Sequence, residues 1–518
     1  MSKKPTQKSA PKSAAQPAIE LSGISKSFGP VQANKDIDLV IQPGSIHGII
    51  GENGAGKSTL MSILYGFYQA DSGWIKMKGE LTVIPDSQAA IGLGIGMVHQ
   101  HFMLVDNFTV LENIILGVEG GNILNSSMAK ARVELKRLEE EFGLKVDPDA
   151  LIQDLPVGLQ QRVEILKALY RGADVLILDE PTGVLTPAEA DHLFRILEQL
   201  KSQGKTILLI THKLREIMAI TDEVSVMRRG EMVATRTTSK TSAEELAELM
   251  VGRRVLLHVD KGDAHPGEVK LSVDGVTVRD GRGVDMVKDV SFNVRAGEIV
   301  GIAGVAGNGQ SELLQAIAGM AKTHSGSIML DGIEVIADPA ALREKGLAHV
   351  PEDRHHEGLV LPFAENENAI LGYHGNSEFV SGPFLQIDNI LADANEKIKK
   401  YDIRPPNPNL KTANFSGGNQ QKIVLAREME RDPVVLLIGQ PTRGVDVGAI
   451  EFIHKRIIEM RDAGKAVLLV SVELDEIRSL ADRVLVMFDG HIVGERPPET
   501  SENELGLLMA GVAEETAA

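Results

Sequence analysis

At 518 residues the chain is too long for one hydrophobic core, so two or more domains are expected. It contains no cysteine, which excludes disulfides, thiolate metal sites and cysteine nucleophiles. A net charge of −18 argues against a nucleic-acid backbone as the main partner, and no stretch approaches the roughly 18 consecutive apolar residues of a membrane-spanning helix.

Residues 1–17 are rich in Lys, Ser, Ala and Pro and lack an apolar segment. They read as a disordered arm, not a signal peptide, and the protein is expected to stay in the cytoplasm. Phe28 is open to two readings, a ring that stacks on adenine or a core phenylalanine. Ser45 to Ile50 then reads as a short buried strand, and Leu60 to Leu64 as a helix opening. Between them, Gly51-Glu52-Asn53-Gly54-Ala55-Gly56-Lys57-Ser58-Thr59 fits the phosphate-binding P-loop at every defined position. Its glycines let backbone N–H groups curl around phosphate oxygens, and the helix N-terminus adds partial positive charge. Lys57 is expected to reach the β- and γ-phosphates and Ser58 to hold Mg²⁺. The chain should bind a nucleoside triphosphate.

Further along, Gln100 sits in Val98-His99-Gln100-His101-Phe102, where its amide could reach Mg²⁺ or the attacking water. Val175 to Glu180 reads as a strand ending in two carboxylates, which would face the P-loop from the carboxyl end of a parallel sheet. Asp179 is placed to hold Mg²⁺ through water, and Glu180 to polarise the attacking water. An apolar run ending in Asp-Glu is by itself more often a strand cap; the complete P-loop upstream turns the reading to catalysis. His212 follows the strand candidate Thr206–Ile210 and could hydrogen-bond the γ-phosphate, although a lone histidine is usually structural.

The chain then repeats itself at a period of about 250–260 residues, far longer than solenoid repeats, so its domains are duplicated. Residues 18–250 and 268–512 form the two expected α/β domains, joined by a polar linker at 251–267 and followed by an acidic tail at 513–518. Val434–Ile438 and Ala466–Val470 are the second-half strand counterparts. The second P-loop, Gly304 to Glu312, carries Gln310 in place of the lysine. Gly439, Gln440, Val472 and Glu352 stand where Asp179, Glu180, His212 and Gln100 do.

The second half also contains Phe415-Ser416-Gly417-Gly418-Asn419-Gln420-Gln421, which resembles the signature of ATP-binding-cassette ATPases. With the P-loop, Gln100, Asp179-Glu180 and His212, the resemblance covers roughly residues 18 to 512. It implies two tandem P-loop NTPase domains, each a RecA-like core with a helical subdomain, that close head to tail around ATP. Each site then takes its P-loop and carboxylates from one cassette and its signature from the other. The first half's signature is altered to Leu155-Pro156-Val157-Gly158, where Pro156 removes a hydroxyl and a backbone donor. Pro156 also reads simply as a favourable first helical residue. Asp446 is matched in the first half by Thr186. One whole site is therefore expected, built from Phe28, the residues 51–59 and the carboxylates of the first half with Ser416, Gly417, Gly418, Gln420 and Asp446 of the second.

By resemblance, such a chain is the motor subunit of an importer, with two integral-membrane permeases and an extracytoplasmic solute-binding lipoprotein as partners. The stretch from Val110 to Leu116 onward is where permease contacts are expected. A soluble factor acting on ribosomes is the competing class, although both its sites generally look competent and its inter-cassette arm is long and charged. A purely regulatory ATP-gated protein is a third reading, which Glu180 opposes. Among importers, Pro351-Glu352-Asp353-Arg354 and Gln440-Pro441-Thr442-Arg443-Gly444-Val445-Asp446 resemble the simple-sugar and nucleoside group. His99 to Val105 resembles its nucleoside branch more than its ribose or galactose branch.

Overall fold

The computed structural model describes residues 16–29, 31–99, 102–117, 124–183, 185, 187–254, 259, 261–305 and 307–512. Most of the expected N-terminal arm, the C-terminal tail, Gln100 and Thr186 lie outside the described residues. The chain folds as two compact units, Met1–Val255 and Leu256–Ala518, and the division falls inside the stretch 251–267.

In the first unit, β1 (Ile19–Phe28) and β2 (Val31–Ile41) pair antiparallel, and the chain then enters β3 (Ile46–Ile50). After α1 (Lys57–Leu64) come β4 (Ser72–Met77), β5 (Glu80–Thr82), α2 (Ser87–Gly92) and β6 (Ile95–Val98). A helical layer follows, α3 (Val110–Ile115), α4 (Leu124–Phe142) and α5 (Val157–Tyr170). The chain returns through β7 (Val175–Asp179), α6 (Pro187–Ser202), β8 (Thr206–Ile210) and α7 (Leu214–Ile220), and ends with β9 (Glu223–Arg228), β10 (Glu231–Thr237) and α8 (Ala243–Val251).

The larger sheet runs β10-β9-β3-β8-β7-β6, parallel from β9 to β6, with β10 antiparallel at one edge. Every residue of β3, β7 and β8 is buried, as continuous apolar runs require of strands covered on both faces. The smaller antiparallel sheet, β2-β1-β4-β5, shares its core with α1: Leu60, Met61, Ile63 and Leu64 pack with Ile19, Leu21 and Ile37 and with Ile49, Ile177 and Leu208. At about 1.5–3 kcal/mol for each fully buried aliphatic side chain, this cluster clamps the P-loop helix between the sheets.

The second unit repeats the plan. Its parallel strands Glu298–Ala303, Leu347–Val350, Val435–Gly439, Ala466–Ser471 and Arg483–Phe488 lie in a six-stranded sheet, and Val269–Arg279, Asp285–Arg295, Ser325–Leu330 and Ile333–Glu334 form the four-stranded one. Strand bounds differ from the sequence reading by about one residue at some ends. The expected contact stretch is α3, whose Thr109 and Glu112 form a reciprocal capping box.

Candidate active site

The P-loop of the first unit is shaped by steric necessity. A Cβ on Gly51 would lie 2.4 Å from the Met227 carbonyl oxygen, and one on Gly56 would lie 2.2 Å from that of Ala33. Gly56 also has φ +99°, so no other residue fits its place before α1. Asn53, Gly54 and Ser58 are exposed along the rim, whereas Ala55 is buried. The buried Lys57 amine donates to the carbonyls of Gly51 (2.7 Å) and Glu52 (3.1 Å), which folds the lysine over its own loop.

The carboxylates arrive from β7. Asp179 is buried and accepts a hydrogen bond from Ser58. Burial, then the neighbouring Glu180, raises its pKa above the ordinary aspartate value, and Lys57 partly offsets this. A hydroxyl and a carboxyl already paired, with a second carboxylate alongside, make a donor set suited to Mg²⁺, whose charge would relieve that crowding. Glu180 stands in the left-handed region at φ +47°, with its N–H held by the Ile210 carbonyl. Its carboxylate lies 2.9 Å from His212 Nδ1, and this hydrogen bond is the main reason its pKa is depressed.

Lys57, Ser58, Asp179, Glu180 and His212 therefore converge within one unit, as the sequence led one to expect. Phe28 is not in the core: its ring is 43% exposed and meets Tyr68 edge-on at 5.1 Å. Tyr68 was not singled out from sequence. Pro156 is the residue before α5 and not its first helical residue.

In the second unit, the helix Gln310–Ile317 starts after Gly309, whose φ of +97° and close approach to the Met286 carbonyl match Gly56. Gln310 donates to the Val305 carbonyl at 3.2 Å, which reproduces the Lys57 contact with Glu52 but brings no charge. Ser311 is hydrogen-bonded to Glu352. A Cβ on Gly439 would lie 2.4 Å from Glu352 Cγ, so the glutamate fills the seat of the missing aspartate. Gln440 accepts from the Val472 N–H at 3.3 Å, where the first unit has the Glu180–His212 pair.

The signature forms the start of the helix Gly417–Met429. Ser416 is exposed at its N-cap and accepts from the Asn419 amide at 2.8 Å, while Asp446 starts the neighbouring helix Val447–Asp462 beside Gly418. Gln420 points the other way: it is buried, donates to the Thr412 carbonyl at 3.1 Å and meets His355 Nε2 at 2.8 Å.

A strand, a glycine-shaped loop and a helix N-terminus, with a lysine, a serine and two carboxylates at hand, define a P-loop nucleoside triphosphatase whose plan is duplicated within one chain. The family model described as "ABC transporter" matches residues 34–183 and 287–443. The chain is 50% identical to the guanosine import ATP-binding protein NupO of Bacillus subtilis, over 96% of this chain and 98% of that one. It is 49% identical to the nucleoside import ATP-binding protein NupA of Lactococcus lactis, over 95% and 98%. A crystal structure of the complex of the archaeal stalk protein aP1 and the ribosome recycling factor aABCE1 aligns with a TM-score of 0.62, covering 95% of this chain and 92% of that chain; at 19% identity it shows the fold alone. The chain belongs to the ABC transporter family and is an ATP-binding, ATP-hydrolysing tandem cassette.

Proposed function

We propose that this chain is the motor of a nucleoside importer and that it hydrolyses ATP at one composite site. The observation that carries the reading is near-50% identity, over almost the whole length, to two ATP-binding proteins named for guanosine and nucleoside import. The proposed partners are two membrane permeases and an extracytoplasmic solute-binding lipoprotein, with the chain peripheral on the cytoplasmic side. Among the described residues no helix is long and apolar enough to cross a membrane, so the pathway is assigned to those partners.

Chemistry is assigned to the first unit's groups. Lys57 and the backbone N–H groups of residues 51–59 bind the β- and γ-phosphates, and Phe28 stacks on adenine. Ser58 and Asp179, with Gln100, hold Mg²⁺, which neutralises charge on the phosphates. The ionised Glu180 accepts the proton of the water whose oxygen attacks the γ-phosphorus, as the bond to the β–γ bridging oxygen breaks and ADP leaves. His212, tied to Glu180 through Nδ1, keeps Nε2 for the γ-phosphate. Ser416, Gly417 and Gly418 of the second unit complete the pocket, with Asp446 beside them. By the same reading, the altered signature of the first unit would pair with the altered P-loop of the second in a structural or weakly nucleotide-holding site.

The test is purification from membranes, followed by uptake of labelled guanosine in cells carrying the chain and its co-purifying subunits. Hydrophobic subunits and guanosine uptake that stops with Lys57→Ala are expected. Co-purifying ribosomal proteins, or uptake of ribose or galactose in place of guanosine, would contradict the proposal.

A further inference from the structure

The second unit's loop at residues 351–354 does more than stand in for the Gln100 loop. Asp353 caps an irregular helical turn at Arg354–Gly358, accepting from the N–H groups of His355 (2.8 Å) and His356 (3.1 Å). That turn rests against the signature at two points. His355 meets Gln420, and Arg354 sends its guanidinium beneath the signature's first turn.

The space for that guanidinium is made by glycines. A Cβ on Gly417 would lie 2.8 Å from the Arg354 Nη2 and 2.9 Å from the Gly444 carbonyl oxygen, and one on Gly444 would lie 3.3 Å from the same Nη2. Arg354 Nη1 donates to the Arg443 carbonyl at 2.7 Å, so one side chain spans the signature and the segment that leads to Asp446. The first half of the chain places Phe102, Val157 and Val184 at the three matching positions. Where the arginine is absent, both glycines are absent too. Gly417 is thus kept small by the Gly444 carbonyl as well as by Arg354.

Electrostatics point the same way. Among the described residues Arg354 forms no ion pair within salt-bridge distance and its Nε is buried without a partner; the nearby Asp353 carboxylate offsets part of its desolvation, and Arg443 adds a second positive charge. A partly desolvated cation beside a helix N-terminus is unfavourable alone and becomes favourable when an anion docks at that end.

We propose that Arg354 is a positioning residue for ATP hydrolysis, holding the Ser416–Gly418 backbone in the form that receives the γ-phosphate. The inference rests on the proposed composite site. It assigns Arg354 no part in binding ATP to Lys57, so its loss acts on turnover and not on ATP binding.

The test measures ATP hydrolysis by the full chain assembled with its membrane partners, for Arg354→Met, Arg354→Lys and Ser416→Ala. A misplaced donor costs rate steeply, so Arg354→Met is expected to lower kcat roughly tenfold or more. KM for ATP and the melting temperature should hold, and Arg354→Lys should recover part of the rate. If Ser416→Ala lowers kcat but Arg354→Met does not, the inference is overturned and the composite site stands. If Ser416→Ala hydrolyses at the wild-type rate, the composite site itself falls. A loss in KM or melting temperature equal to the loss in kcat would reduce Arg354 to a folding role and overturn the inference.

Discussion

The two P-loop units keep the same backbone and have parted in chemistry. Glu180 and Gln440 end equivalent strands in the same strained conformation, φ +47° and +48°, and each N–H is held at 2.8 Å by the carbonyl of the neighbouring strand, Ile210 or Val470. Gly56 and Gly309 make the same close approach to a carbonyl. What differs is which groups sit on that frame. The first unit presents an amine, two carboxylates and an imidazole, whereas the second has neutral amides at Gln310 and Gln440 and a glutamate lying where a side chain at Gly439 would start. The strained conformation is thus held by the strand pairing and not by the identity of the side chain.

The largest way to break this comparison is to remove charge from each loop. If only one loop stabilises transferring phosphate, as proposed, Lys57→Ala should reduce uptake by at least about a hundredfold, whereas Gln310→Ala should change it by less than about twofold. Equal losses in a solute-uptake assay would erase the distinction between the units.

A smaller effect probes the seat of the missing aspartate. Restoring it with Gly439→Asp should destabilise the second unit by about 1–3 kcal/mol through overpacking against Glu352, and adding Glu352→Ala should recover most of that. Denaturant titration of the full chain reads both; an unaltered midpoint for Gly439→Asp would show that the seat is open.

A pH effect sharpens the contrast in the helical layers. Where the first unit has buried Val110, the second has Glu365, fully buried with neither carboxylate oxygen hydrogen-bonded among the described residues. Burial pushes its pKa up to about 8, while Lys397 lowers it and Asp393 raises it. The folded state therefore holds a proton that the unfolded chain releases near its ordinary value of 4.5. The stability this gives is full below that value and is lost as pH rises towards 8. Glu365→Gln should flatten this part of the stability profile between pH 5 and 8.5; an unchanged slope would place the titration elsewhere.

The smallest expected effect is at the base. Phe28→Ala should raise KM for ATP by up to about tenfold while leaving kcat in place, since the proposed stacking on adenine is remote from the reacting bond. A matching fall in kcat would give the ring a different role.

The P-loop, the paired carboxylates, His212 and the signature were legible in the sequence because each is a local string whose chemistry depends on neighbours in the chain. The duplication was legible because those strings recur. Glu352 filling the place beside Gly439, Arg354 lying under Gly417 and Gly444, and Tyr68 against Phe28 were not, because they join loops tens of residues apart. The inward turn of Gln420 was hidden for the same reason: helical phase decides it, and a signature string does not show phase. A signal did exist for Arg354 and Glu352. Comparing the halves position by position shows Gly439, Gly417 and Gly444 where the first half has Asp179, Val157 and Val184, in step with the changes of Gln100 to Glu352 and Phe102 to Arg354.

The most direct test of the asymmetry compares Glu180→Gln with Gln440→Ala in the full chain assembled with its membrane partners, by the steady-state rate of phosphate release from ATP. Loss of the general base should lower kcat by about a hundredfold or more in Glu180→Gln, and Gln440→Ala should leave it near the wild-type rate. Equal loss in both would contradict a single hydrolytic site.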